Sequence, residues 1–363
     1  MLNNIRITLL QPSFLILAAG LAAMNASAQE ADISGLLIPE RISETPSPVS
    51  SPEREALVHL RYTVKADGST SDIEILDGFY NALFADAATK AVATWTYKPA
   101  TLNGKAIDWL NNEYVMAFRL PGEEEASISP PVMAGYNQII ELMSADKNEQ
   151  AIEKLEAMLS DKNTVKTLFD HAFLNDALSA ANLGASRFHQ ALAASKRATV
   201  VPGRIRSTIS APAVNSGDSQ DLLTEDLMEG ALRKRFFLSA TLNQSLDALE
   251  TFDRLQSQVT VPADDLIREQ AAAIRQRLVS PDALGLVAGL VDTHWSYLPA
   301  RRIFAVTDVK GQLASIDVHC QRRNAQLAFE SDVEWALPDS WGDCSLTFNG
   351  DAGTEFTLYE FSE

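Results

Sequence analysis

Positive charge is scarce in this chain. Its 363 residues carry 30 Lys and Arg against 48 Asp and Glu, a formal net charge of −18. Nucleic-acid binding rests on Lys and Arg neutralising phosphates, so this balance excludes a non-specific nucleic-acid binder, and an anionic bilayer repels the chain for the same reason. Cysteine is scarcer still, with Cys320 and Cys344 alone. Catalytic signatures are missing as well. No H-E-x-x-H, G-x-S-x-G, P-loop or glycine-rich dinucleotide fingerprint occurs, which removes the metalloprotease, α/β-hydrolase and nucleotide-binding classes that those motifs mark. Beyond Ala28 no stretch approaches the ~18 uncharged apolar residues of a membrane-crossing helix.

The N-terminus is where apolar residues do run together. Arg6 precedes the apolar stretch from Phe14 to Ala23, and Ala26-Ser27-Ala28 offers a small-residue cleavage site. This is the pattern of a secretory signal peptide over 1–28, with Gln29 as the mature start. An uncleaved anchor is the alternative, although Gln11, Pro12 and Ser13 interrupt any extension of the apolar stretch. In an exported chain an even cysteine count reads as one disulfide, Cys320–Cys344. Two separate buried thiols are the competing reading.

Composition and periodicity divide the remainder. Residues 29–52 form a leader in which Pro39, Pro46, Pro48 and Pro52 oppose a regular element. Residues 53–122 hold a compact α+β pattern. Val58, Leu60, Tyr62 and Val64 alternate along one strand, Asp67-Gly68 signals a hairpin, and Ile73 and Ile75 alternate along the next. This predicts a hairpin with one buried face. The period then switches, with Phe84, Ala87, Ala88, Ala91, Val92 and Trp95 falling on a helical stripe that Pro99 ends. Asn103-Gly104 is a turn, and Glu113 to Leu120 reads as a strand. Residues 123–132, which open Glu123-Glu124-Glu125, suit a solvated linker. Residues 133–280 read as helices in three pairs. Their second members carry Ala151-Ile152, Ala191-Leu192 and Ala248-Leu249, and two are followed by Val201-Pro202 and Val261-Pro262. The pattern suits tetratricopeptide-like repeats or generic amphipathic hairpins, with a long loop over 203–220. Residues 291–363 supply short strands and Trp295, Trp335 and Trp341, which predict a small antiparallel sandwich or roll stapled by the cysteine pair. The fold class expected is therefore multidomain: a small α+β domain, α-helical hairpin repeats and a C-terminal antiparallel β domain.

The segment from Val58 to Leu120 resembles the C-terminal domain of the TonB energy-transducer family. The residues that carry the resemblance are Tyr62-Thr63-Val64-Lys65-Ala66-Asp67-Gly68, Ser71-Asp72-Ile73-Glu74-Ile75-Leu76, Phe84-Ala85-Asp86-Ala87-Ala88, Ala91-Val92-Ala93-Thr94-Trp95-Thr96-Tyr97-Lys98-Pro99-Ala100 and Asn103-Gly104-Lys105. In this family a segment of an outer-membrane transporter adds a strand to a sheet edge, the mode in which main-chain hydrogen bonds give affinity and alternate side-chain pockets give specificity. The resemblance places that edge on Tyr114, Val115, Met116, Ala117, Phe118 and Arg119. The competing expectation is an edge capped by the leader, a neighbouring domain or a second copy, because open edges invite aggregation. Gly68, Trp95, Tyr97 and Pro99 are read as structural. The resemblance also implies a Gram-negative envelope location, in the periplasm or on an inner-membrane anchor. It implies partners among envelope proteins, whether an outer-membrane transporter segment, a periplasmic peptide or a second copy of the chain.

Little else in the chain suggests chemistry, and no cofactor, metal or catalytic residue is assigned. Ser144-Ala145-Asp146-Lys147 has the S-x-x-K spacing but no companion motif. The five histidines, His59, His171, His189, His294 and His319, are spread over three regions without metal-ligand spacing. His319 adjoins Cys320, but neighbours on a strand point to opposite faces. Arg322-Arg323 reads as a surface pair. The function expected is a non-enzymatic periplasmic adaptor that binds partner segments by β-augmentation. The alternatives are a membrane-anchored energy transducer and an enzyme with its site in the C-terminal β domain. Mass spectrometry of the protein recovered from the envelope discriminates the first two: the expected chain begins at Gln29, and one beginning at Met1 revives the anchored transducer.

Overall fold

A computed structural model describes residues 36–43, 53–120, 127–206, 214–215, 221–258, 264–331 and 333–362. The signal-peptide segment, most of the leader, the first part of the 123–132 linker and Val261-Pro262 lie outside these residues.

The first module begins with a piece of the leader. Strand β1 (Glu40–Ser43) is followed by β2 (Ala56–Val64), β3 (Thr70–Phe79), helix α1 (Ala82–Val92), β4 (Thr96–Lys98), β5 (Ala100–Leu102), β6 (Lys105–Ile107) and β7 (Trp109–Phe118). Val58, Leu60, Tyr62 and Val64 of β2 pack against Phe84, Ala88, Ala91 and Val92 of α1, as the two periodicities require. Asn81 starts the helix, its side chain accepting from the amides of Leu83 and Phe84. The helix stops at Val92, earlier than the predicted stripe, so Pro99 does not end it; Pro99 separates β4 from β5. The leader is not free of regular structure either. β1 pairs antiparallel with β4, and Leu37 exchanges backbone hydrogen bonds with Thr101 at 2.8 and 3.0 Å. Pro39 falls between the Leu37 bridge and β1, where a missing N–H removes no ladder bond.

The middle module contains helices α2 (Pro130–Ser144), α3 (Asn148–Ser160), α4 (Leu168–Gly184) and α5 (Phe188–Ala198), short strands β8 (Arg204–Arg206) and β9 (Val214–Asn215), then α6 (Glu225–Thr241), α7 (Ser245–Gln258) and α8 (Asp265–Leu278). α2 starts inside the stretch assigned to the linker, because Pro130 and Pro131 occupy its first turn, where proline costs no hydrogen bond. Each helix packs on the next along the chain. The three hairpins α2–α3, α4–α5 and α6–α7 turn alike. Asp146, Ser186 and Asn243 take left-handed φ of 57°, 60° and 56°. The residue after each sends its amide back to Leu142, Asn182 and Ser239 at 2.9, 2.8 and 2.8 Å. This is the Schellman closure of a helix. Five residues beyond each left-handed residue, Ala151, Ala191 and Ala248 are fully buried, because two helix backbones approach there. The small-large pairs noted in the sequence each fall on the second helix of one of these hairpins. α8 is a seventh helix laid on α7.

The last module is a sandwich of two four-stranded antiparallel sheets. Its strands are β10 (Leu284–Gly289), β11 (His294–Tyr297), β12 (Ile303–Lys310), β13 (Leu313–Cys320), β14 (Asn324–Ala328), β15 (Glu334–Ala336), β16 (Cys344–Gly350) and β17 (Glu355–Phe361), in orders β10-β17-β12-β15 and β11-β16-β13-β14. It begins at Leu284 and not at Val291, since Leu286 and Ala288 of β10 belong to its core. Cys320 and Cys344 are directly opposite on β13 and β16 and form the disulfide. The three tryptophans predicted to fill the core pack partly buried at its margin.

A buried charge network fastens α5, α6 and α7. Arg235 donates through Nη2 to Asp247 Oδ1 at 2.6 Å and through Nη1 to Thr199 Oγ1 at 2.9 Å. Ser239 also donates to Asp247, and Arg254 donates to the Thr199 carbonyl at 2.6 Å. Burial alone would raise the Asp247 carboxyl, but Arg235 and Lys196 outweigh it and hold it well below the usual carboxylate range. Arg235→Met should strip that buried carboxylate of its closest counter-charge, lowering stability by about 3–5 kcal/mol in urea unfolding; a loss below ~1 kcal/mol would refute the network's importance.

Candidate functional site

The predicted edge, Tyr114 to Arg119, lies on β7 and just beyond it. β7 pairs with β2 along its inner side, from Ala56↔Phe118 to Val64↔Trp109. Its outer side is not open. The five-stranded sheet runs β3-β2-β7-β8-β9, with Glu113↔Arg206 and Tyr114↔Ile205 in register. Gly203 also donates its amide to the Val115 carbonyl at 2.8 Å. The connection between α5 and α6, predicted as a loop, therefore supplies the strand that caps the first half of this edge. Arg204-Ile205-Arg206 is too short to declare itself as a strand by pattern. Its conformation comes from the pairing groups that β7 presents.

Of the residues read as structural, Gly68, Trp95 and Tyr97 meet around Tyr62, and Pro99 lies between β4 and β5. Trp95 is buried edge-on to Tyr62 and Tyr114, with ring centroids 5.9 and 4.9 Å apart. The Arg41 guanidinium of β1 lies 4.8 Å from the centroid of the same indole, a cation–π contact. The Tyr62 and Tyr97 hydroxyls are 2.7 Å apart, and burial, then the neighbouring Tyr97, pushes the Tyr62 hydroxyl well above its ordinary value. Gly68 receives the Tyr97 amide on its carbonyl at 2.8 Å. A Cβ on Gly68 would fall 2.2 Å from the Tyr97 oxygen, and its φ is +87°. The glycine thus serves both the hairpin turn and the close approach of β4.

The second face of the first sheet is covered, contrary to the hairpin with one buried face that the alternation of β2 predicts. Leu57, Phe79 and Val115 belong to the core of the helical module. Glu55 clamps the two modules. Its carboxylate accepts from the Leu120 amide at 3.1 Å and from the Leu168 amide, at the start of α4, at 2.7 Å. A carboxylate at a helix N-terminus also meets the positive end of the helix dipole. The first module touches the sandwich too, through Leu110 N–H to the Gln321 carbonyl at 2.7 Å and Asn111 Nδ2 to the Cys320 carbonyl at 2.6 Å.

Where the three modules meet they line an open cavity of about 730 Å³. Its wall includes all five histidines of the chain, which the sequence reading had left scattered. His59 Nε2 lies 3.4 Å from Glu113. His171 stacks on Phe79, centroids 4.6 Å apart. Burial, with a smaller contribution from Arg197, lowers His171 to about 4. Burial likewise lowers His189 and His319. Among the described residues no group of His, Cys, Asp and Glu has metal-binding geometry, and none of the helices there is long and apolar enough to cross a membrane.

Residues 50–113 match the family described as Gram-negative bacterial TonB protein C-terminal. The first module is accordingly a TonB C-terminal-type domain. A solved structure titled "Solution NMR structure of Pseudomonas aeruginosa TonB CTD" matches at 16% identity, over 28% of this chain and 94% of that chain, with a TM-score of 0.19. No curated protein matches the chain. Within the domain, Gly68→Ala should cost about 1–3 kcal/mol from strain and the clash with Tyr97. Gly104→Ala, whose Cβ meets nothing within 4 Å, should cost ~1 kcal/mol. Thermal melts of the two variants test the ranking, and equal losses would contradict the account of Gly68.

Proposed function

We propose that the TonB C-terminal-type domain makes this protein a non-enzymatic adaptor of the Gram-negative periplasm, one that takes an extended segment of a partner along the β7 edge in place of its own β8. The observation that carries this reading is the pairing of β8 with Glu113 and Tyr114. The chain itself occupies the edge in the manner of an added strand, so the edge has the main-chain geometry that β-augmentation needs. β8 covers the edge over three residues, with two register pairs and the Gly203 bond, and pairs on its other side with β9. A longer partner strand reaching Met116, Ala117, Phe118 and Arg119 would form more main-chain bonds than β8 does. The partner class is an envelope protein presenting such a segment, an outer-membrane transporter among them. A second copy of the chain would bind by the same edge.

The reading favours an adaptor over an energy transducer because the domain is built into a larger body. Both faces of its sheet are packed, one on α1 and the other on the helical module. The leader strand β1 is committed to β4. A force-bearing module needs a tether free to pull, and here the described part of the leader is bonded to the domain.

The test uses the full chain and a variant in which residues 204–215 become a Gly/Ser linker, each immobilised and exposed to envelope extract. Removing β8 should raise capture of a defined partner several-fold. Val115→Pro should abolish that capture. Because the Val115 carbonyl faces Gly203, its N–H also points away from β2, and proline there spares the inner ladder. If the folded Val115→Pro protein captures the same partners in the same amounts, the edge is not the binding surface.

A further inference from the structure

Each of the three junctions between modules contains a half-buried histidine. Between the first and middle modules, His171 of α4 stacks on Phe79 of β3. Between the middle module and the sandwich, His189 of α5 lies so close to Gly289 of β10 that a Cβ there would come within 2.8 Å of its ring. Between the sandwich and the first module, His319 of β13 faces Arg61 of β2. His59 and His294 complete the set on the wall of the same cavity. We propose that these imidazoles form a proton-operated clasp: neutral, they let the three modules close around the cavity, and once protonated they drive the junctions apart.

The charged groups around them set the direction. The Arg197 charge on α5 acts on His171, and Arg54 lies over the other partner of its stack, 4.9 Å from the Phe79 centroid. A proton on His171 therefore adds a third positive charge to a half-buried junction. Asn175, whose Oδ1 accepts from Arg197 Nε, donates through Nδ2 to His171 Nε2 at 3.2 Å, so the neutral ring carries its hydrogen on Nδ1 and a proton added at Nε2 would face that amide N–H. His319 Nδ1 is buried with no hydrogen-bond partner among the described residues. Arg61 opposes a charge on His319, while Asp317, Glu74 and Glu113 favour one, and burial outweighs them all. Glu355 of β17 favours a charge on His189, again less than burial opposes it. The His59–Glu113 pair lies within the first module, between β2 and β7, and does not resist separation.

The closed state binds fewer protons than the open state, so closure is fully favoured above the ordinary histidine value of ~6.5 and is lost as pH falls towards the lowered one. For His171 that window ends at about 4. At about pH 5 this one group should shift the closed-to-open ratio by roughly thirtyfold. The disulfide within the sandwich and the paired charges within the helical module do not span a junction and leave the modules themselves intact.

Hydrogen exchange of the full-length protein tests the clasp without any partner, so its failure leaves the β7 reading untouched and the reverse holds too. The Glu55 amide, bonded to the Lys166 carbonyl, and the Leu110 amide, bonded to the Gln321 carbonyl, report two junctions directly. Between about pH 7.5 and about pH 5, after correction for intrinsic rates, Glu55 protection should fall by roughly thirtyfold or more and Leu110 protection should fall with it. Amides in the cores of the modules should hold. His171→Gln and His319→Gln together should remove most of the fall. The proposal is overturned if junction protection does not depend on pH, if core amides lose protection in parallel, or if the folded double variant still opens. Should that variant not fold, the wild-type midpoint decides: between about 4 and 6.5 it supports the imidazoles, and below about 4 it assigns the transition to carboxylates and overturns the proposal.

Discussion

The burial of Leu57, Phe79 and Val115 against the helical module is the contact on which the rest of the architecture depends. These residues lie on the face of the first sheet that α1 does not cover. A small α+β domain of this kind satisfies its core with one helix on one face, and the other face would ordinarily meet water. Here that face is apolar at one end, where it joins the helices, and charged at the other, where His59 and Arg61 look into the cavity. The apolar end brings α4 and the α5–α6 connection against the domain. The connection is then close enough to β7 to pair with it. The charged end leaves a space too polar to collapse, and that space is the cavity.

The middle module does its work through repetition. Three hairpins share one left-handed turn residue, one backbone closure and one buried alanine in the following helix. Such units cannot bury an apolar face alone, and stacking supplies the missing partner. The Arg235–Asp247 pair, reached by Thr199 and Arg254, ties the second hairpin to the third at the point where the chain leaves to form β8. A rigid anchor on both sides of that excursion is what positions so short a strand.

Much of the fold was legible residue by residue. The alternation of Val58, Leu60, Tyr62 and Val64, the stripe from Phe84 to Val92, the Asp67-Gly68 turn and the Ala191-Leu192 and Ala248-Leu249 pairs each reflect a local period or a local steric need, and each appears in the structure where that need predicts. The cysteine pair was legible because only two cysteines exist. The errors share a cause. β1, β8, β9 and β10 are strands made by what they pair with or pack on, and their own residues are too few or too mixed to reveal a period. The second buried face of β2 was hidden because His59 and Arg61 read as solvent-facing when they face another module.

The amino-acid sequence by itself determined the domain type, the helical hairpins, the β-rich end and the disulfide, because those follow from hydrophobic period, turn chemistry and composition within a short window. Only the tertiary structure decided that the β7 edge carries β8 and that five histidines from three modules line one space. Both facts join residues far apart in the chain, and no local period or spacing records which distant surface a strand edge or an imidazole will meet.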